Sequence, residues 1–163
     1  VKSLKDNNNI YLVPAFTGLG APHWDANARG VLTGITRDTS PKEIVRATIE
    51  AVAYQTYDLF EAMKHDGLRP KIVKVDGGMV MNNWFSQFLA DVVNVGVLRP
   101  KVQETTALGA AFMAGLQIGV YKSLKDISKN WALDKKFSPK MKHNIRTNLV
   151  KGWSKAIKRT LIN

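Results

Sequence analysis

Three residues in one short stretch could do chemistry. Lys71 to Asp76 alternates apolar and polar like a strand, Gly77-Gly78 interrupt it, and Asn82 or Asn83 opens a helix. A strand that ends in two glycines and feeds a helix can bare backbone N–H groups beside a helix N-terminus. Phosphate or ribose can approach closely there, and the helix dipole favours negative charge. Gly77, Gly78 and Asn82 are therefore candidates for holding a nucleotide at the carboxyl end of a sheet. The plainer alternatives are a tight turn for the glycines and an N-cap for Asn82. A second strand-to-helix junction, Glu104-Thr105-Thr106, could place a carboxylate near water or a metal shell, but it reads more simply as an acid at a helix start.

Other chemistries find no support. His23, His65 and His143 are far apart and have no metal-ligand spacing. No Ser/His/Asp set stands out, and no glycine-rich run matches the P-loop or dinucleotide pattern. The chain has no cysteine, which excludes disulfides and thiolate metal sites. No apolar run approaches the roughly 20 residues of a membrane helix, and the polar N-terminus carries no signal-peptide core.

The elements that must position these residues alternate between short strands and helices. Residues 1–9 read as a polar lead-in, and residues 10–163 as one domain. Ile10 to Val13 and Val31 to Ile35 suit short strands. Between them, residues 16–30 hold three glycines and a proline around His23-Trp24-Asp25, a structured loop. Ser40, Pro41 and Glu43 form a capping box for a helix running to about Lys64. After the glycine turn come a helix from Asn82 or Asn83 to about Val93 and a short strand at Val97-Leu98. A small-residue helix follows, capped by Thr105 or Thr106, then a short helix near Ser123 to Lys129 and a final helix from Ser138-Pro139. This pattern predicts an α/β fold with a thin, incomplete sheet flanked by helices.

Charge is uneven. The net charge is +11, yet residues 121–163 hold twelve Lys or Arg against two acids, a net +10, and the remainder is close to neutral. The basic segment, read as helical, suits a solvated face. A grip on an anionic partner is the alternative, and the absence of a nucleic-acid motif argues against nucleic acid.

Four segments together resemble the C-terminal part of the FGGY carbohydrate kinase family, in its glycerol kinase branch. They are Pro14 to Asp25; Gly30 to Glu50, with Gly30, Leu32, Gly34, Ile35, Glu43, Ile44, Ala47, Ile49 and Glu50 in register; Val75-Asp76-Gly77-Gly78 with Asn82-Asn83; and Glu104 to Ala111. Gly18-Leu19-Gly20-Ala21-Pro22 favours the glycerol kinase branch over xylulose-type kinases, which carry Gly-Glu-Arg-Thr-Pro there. The family more often has Tyr where this chain has His23.

The resemblance implies an actin-like, ribonuclease-H-like ATPase fold in which two domains close over ATP and substrate. Gly78 and Asn82, with Gly77 beside them, fall where the family holds the nucleotide. The resemblance also implies a cytoplasmic enzyme that uses ATP with Mg2+ to phosphorylate glycerol, and a homo-oligomer in its full-length form. The family's catalytic aspartate, polyol-binding residues and phosphate-binding hairpin have no match here and are expected before Val1. The chain alone is then expected to bind ATP or ADP weakly, to be inactive, to expose apolar edges, and to self-associate or need a partner such as the missing N-terminal kinase domain. Two other functions remain open at this point: another sugar kinase of the family, and a non-catalytic module that binds anionic partners through the basic tail.

Overall fold

The computed structural model describes residue 4 and residues 6–161. Two small sheets share one helical layer. β1 (Tyr11–Val13) and β2 (Val31–Thr33) pair antiparallel, with Leu12 opposite Leu32. β3 (Ile72–Lys74) runs parallel to β4 (Gly96–Pro100), and β5 (Leu133–Phe137) closes the other side of β4 antiparallel, with a register shift at Arg99/Pro100. The sheet is thin, as the strand count predicts. β3 and β5 are its edges.

The helices are α1 (Pro41–His65), α2 (Asn83–Val93), α3 (Thr105–Gln117), α4 (Leu124–Ser128) and α5 (His143–Thr160). α1 starts where its sequence says. The Ser40 side chain accepts from the Lys42 N–H, and Glu43 Oε2 accepts from the Ser40 N–H at 2.9 Å, so two orphan donors are satisfied reciprocally. Its buried face meets α2 and β1. Tyr54 is the hub: its ring stacks on Trp153 of α5 at 5.3 Å, meets Phe88 of α2 edge-on at 5.6 Å, and lies 5.7 Å from Tyr11 of β1. One ring thereby ties four elements into a single core.

Three expectations change. β5 is unforeseen, because Leu133-Asp134-Lys135-Lys136-Phe137 turns a single residue, Phe137, into the core. α5 starts at His143 rather than at Ser138-Pro139. The preceding residues are held extended instead: the Ser138 carbonyl accepts from Gln87, and the Lys140 and Met141 N–H groups donate to Asp91 Oδ1. The polar lead-in is docked along α1, with the Leu4 carbonyl accepting from Arg46, Asn7 donating to Glu50, and Asn8 donating to Glu43. Residues 1–3 and 5 of that lead-in lie outside the described residues.

α3 differs from the other long helices. Only Gly115 is buried along it, with the Tyr121 ring so close that a Cβ would lie 2.9 Å from it. Met113 is 51% exposed, and beyond the helix Ile118 is 76% and Val120 66% exposed. The small-residue face that could seat a neighbouring backbone is open among the described residues.

Candidate functional site

The candidate site lies where β3 ends. The Val75 N–H donates to the Leu98 carbonyl at 3.1 Å and completes the pairing with β4, after which the chain leaves the sheet at Asp76. Gly77 has φ +83°, a conformation that favours glycine, and Gly78 opens a 3-10 turn over Gly78–Met81. A Cβ at either glycine would meet no atom within 4 Å. The glycine pair is thus an open shelf, while Val80 further along the turn anchors it in the core.

The two amides differ. The Gly77 N–H donates to the Gln103 carbonyl at 3.2 Å, so it is occupied. Gly78 is the first residue of a short helical turn, where N–H groups lack an intrahelical partner. Asn82 closes that turn and starts α2. Its Oδ1 accepts from the Trp84 N–H at 3.0 Å and the Phe85 N–H at 3.4 Å. The N-cap reading of Asn82 is therefore correct as local structure. Asn82 is exposed, and its Nδ2 donates to no partner among the described residues. It can serve as a cap and still offer two N–H donors to a ligand.

Two supports of the shelf are invisible to pattern reading. Arg99 on β4 is buried, and its Nη1 donates to the carbonyls of Val80 (2.9 Å) and Met81 (3.3 Å) and to Asn83 Oδ1 (3.1 Å); its Nε pairs with Asp134 at 2.7 Å. One guanidinium thus fastens the carbonyl side of the glycine turn from beneath and leaves its N–H side free. The second support is α3. Thr105 Oγ1 donates to Asp76 Oδ2, which brings the α3 N-terminus against the end of β3. Glu104 takes the N-cap position of α3 without a side-chain cap bond, contrary to the cap expected from Thr105 or Thr106, because the Thr105 hydroxyl is engaged by Asp76. The first-turn amides of α3 are left to solvent or a ligand. Three N-terminal turns, starting at Gly78, Asn83 and Thr105, therefore gather at one end of the sheet. The sequence signal for the third was the Glu104-Thr105-Thr106 junction.

Residues 16–30 form a self-braced loop away from that shelf. Leu19 and Asp25 exchange backbone bonds at 2.7 and 3.0 Å, and Asp25 Oδ1 accepts from the Asn27 and Ala28 N–H groups. The loop buries Leu19 and presents Phe16 and Trp24 to solvent. His23 is tied to α1 through Asp58 at 3.2 Å, and Asp58 also accepts from Trp153 Nε1 at 2.8 Å. Burial pushes the Asp58 carboxyl above its ordinary range against those two hydrogen bonds.

Short mixed strands flanked by helices, with helix N-termini gathered at the strand end, make an α/β domain; residues 2–118 match the C-terminal domain of the FGGY family of carbohydrate kinases, and the chain belongs to that family. Its relatives narrow the branch. It is 55% identical over 154 residues to glycerol kinase 1 of Pseudomonas aeruginosa, covering 94% of this chain and 31% of that protein. It is 50% identical over 161 residues to the glycerol kinase of Alkaliphilus oremlandii, covering 98% and 32%. The crystal structure of Plasmodium falciparum glycerol kinase with ADP superposes with a TM-score of 0.84 at 35% identity, covering 99% of this chain and 33% of that one. Gluconate kinase from Lactobacillus acidophilus superposes with a TM-score of 0.73 at 28% identity, over 93% and 30%. The fold is the actin-like ATPase fold of these kinases. The chain spans about a third of the length of the curated relatives it matches.

Proposed function

We propose that this chain supplies the adenine-nucleotide side of the active site of an ATP-dependent glycerol kinase, whose complete form transfers the γ-phosphoryl group of ATP to glycerol. The observation that carries this reading is the open shelf at Gly77, Gly78 and Asn82. Gly78 offers a backbone amide, Asn82 offers its side-chain donors, and Gly77 provides the positive-φ turn that lets a nucleotide approach. ATP or ADP is the ligand. Among the described residues no group of three or more His, Asp or Glu could hold a metal ion. Mg2+ would arrive on the nucleotide phosphates, in keeping with its habit of taking few protein ligands.

Phosphoryl transfer needs an acceptor hydroxyl, a base and charge stabilisation positioned together. The groups offered here serve binding and orientation, so the isolated chain should bind nucleotide and turn over none. The catalytic aspartate and glycerol contacts are assigned to the rest of the enzyme, a cytoplasmic homo-oligomer in this reading.

The test is a calorimetric titration with ADP. Gly78→Trp is the informative variant: a Cβ at Gly78 meets no atom within 4 Å, so the side chain starts in open space and should block a ligand while leaving the melting temperature within a degree or two. We expect at least a tenfold loss of ADP affinity. Unchanged ADP binding by Gly78→Trp would remove the shelf from the nucleotide site. Asn82→Ala should also weaken binding, with a fold cost of about 1 kcal/mol from the lost cap.

A further inference from the structure

We infer that the basic C-terminal segment carries a second binding site, for a phosphate monoester of a polyhydroxy small molecule, in the cleft between α5 and the β1–β2 sheet. The cleft has a volume of about 490 Å³ and is lined by Lys151, Lys155 and Arg159 on one side and by Asn9 and Thr33 on the other, with Asn148 at the next turn of the helix. Small-molecule pockets fall in this size range.

The placement of charge is the first argument. Lys151, Lys155 and Arg159 recur every four residues, so they follow one another along one face of α5 over about 12 Å. Like charges at this spacing repel, and among the described residues none of the three has a carboxylate within 4 Å. Among the described residues no acid lines the cleft; Asp6 lines an adjoining cavity that shares Asn9, Tyr11 and Asn148. Elsewhere in the segment Arg146 donates to the Val92 carbonyl at 2.7 Å, Lys129 pairs with Asp126 at 2.8 Å, and Lys135 lies over Phe137. Here, by contrast, three cations without a carboxylate partner among the described residues line one concave place.

The walls are the second argument. Gly152 lies so close to Tyr11 that a Cβ would fall 2.1 Å from the hydroxyl oxygen, and a Cβ on Gly34 would fall 2.0 Å from the Asn9 carbonyl oxygen. Both glycines line the cleft. The approach of Gly152 to the Tyr11 ring fixes the distance between helix and sheet, and that of Gly34 to Asn9 fixes the sheet-side wall, so the cleft is built rather than left between loosely packed parts. Three cations select a dianion. The amides of Asn9 and Asn148 and the hydroxyl of Thr33 supply donors and acceptors suited to hydroxyl groups. Together they fit a phosphate ester better than a bare ion.

The site is separate from the nucleotide shelf and does not depend on it. Ribose 5-phosphate is titrated into the 15N-labelled chain at moderate salt, with inorganic phosphate and ribose as comparison probes. The expected result is saturable binding with amide shifts centred on Gly34 and Gly152. Inorganic phosphate should bind at least fivefold more weakly and ribose not at all. Lys155→Glu/Arg159→Glu should weaken ribose 5-phosphate at least tenfold with an unchanged melting temperature, since both side chains are exposed. Thr33→Val should weaken the ester while leaving inorganic phosphate alone. Shifts spread evenly along the tail lysines, binding untouched by the double charge reversal, or equal affinity for ester and inorganic phosphate would each overturn the assignment.

Discussion

Glu50 concentrates the electrostatics of the core on one residue. Its carboxylate is fully buried and holds Arg46 Nε at 2.6 Å, the Tyr54 hydroxyl at 3.1 Å and Asn7 Nδ2 at 3.2 Å. Burial pushes its carboxyl above the ordinary value of about 4.3, and the Arg46 pair opposes that only in part. The folded chain therefore binds a proton at Glu50 over a pH range in which the unfolded chain has released it. Stability from this residue is fully present below about pH 4.3 and is lost as pH rises through the higher folded value. Other carboxyls titrate in the opposite sense, Glu43 among them, because hydrogen bonds from Ser40 hold it low. The difference between wild type and Glu50→Gln isolates the effect. In urea unfolding, the stability of wild type relative to Glu50→Gln should fall as pH rises above about 4.3 and then level off, by about 1.4 kcal/mol for each pH unit that separates folded and unfolded values. A difference that grows over that range would mean that the Arg46 pair outweighs burial.

Among the elements, β4 matters most to the proposed site because Arg99 projects from it beneath the glycine turn. Arg99→Leu keeps an apolar stem but removes the guanidinium from the Val80 and Met81 carbonyls and the Asn83 side chain, leaving Val80 only the Ser86 hydroxyl at 2.8 Å. Hydrogen bonds to a charged group contribute about 1.5–3 kcal/mol. Asp134→Asn touches the same guanidinium from a side chain 40% exposed and should cost no more than about 1 kcal/mol. Thermal unfolding of both variants decides between a strut and a surface ion pair; equal shifts in melting temperature would demote Arg99 to the second. The same pair shows what a sequence can convey. The glycine turn and the start of α1 are legible because their causes are local: a positive-φ glycine after a strand, and Ser40 with Glu43 three residues on. Arg99 is not, since its carbonyl partners lie 18 and 19 residues away and meet it only after β3 and β4 pair. β5 and the true start of α5 are hidden for the same reason. One is imposed by the open side of β4 on a mostly polar segment, and the other by Asp91 and Gln87 reaching across from α2.

At the scale of the whole molecule, the apolar surface is unevenly covered. The core around Tyr54 is complete, whereas the far end presents α3 and the β3 edge, with Ile72, Met113, Ile118 and Val120 all more than half exposed. Exposed apolar side chains together with a free strand edge favour association. For the isolated chain the available occupant is a second copy. Sedimentation velocity between about 1 and 100 μM should show a weight-average mass rising above the 18.1 kDa monomer. Met113→Glu/Ile118→Glu should return it toward that value, with little change in melting temperature because neither side chain is buried in the fold. The basic tail opposes association through net charge, so added salt should promote it by screening. If the mass stays at the monomer value at every concentration and salt level, the α3 face is soluble as it stands. If the charged variant associates as strongly as wild type, the contact lies elsewhere, and the exposed Phe16 and Trp24 of the loop at 16–30 become the surface to change next.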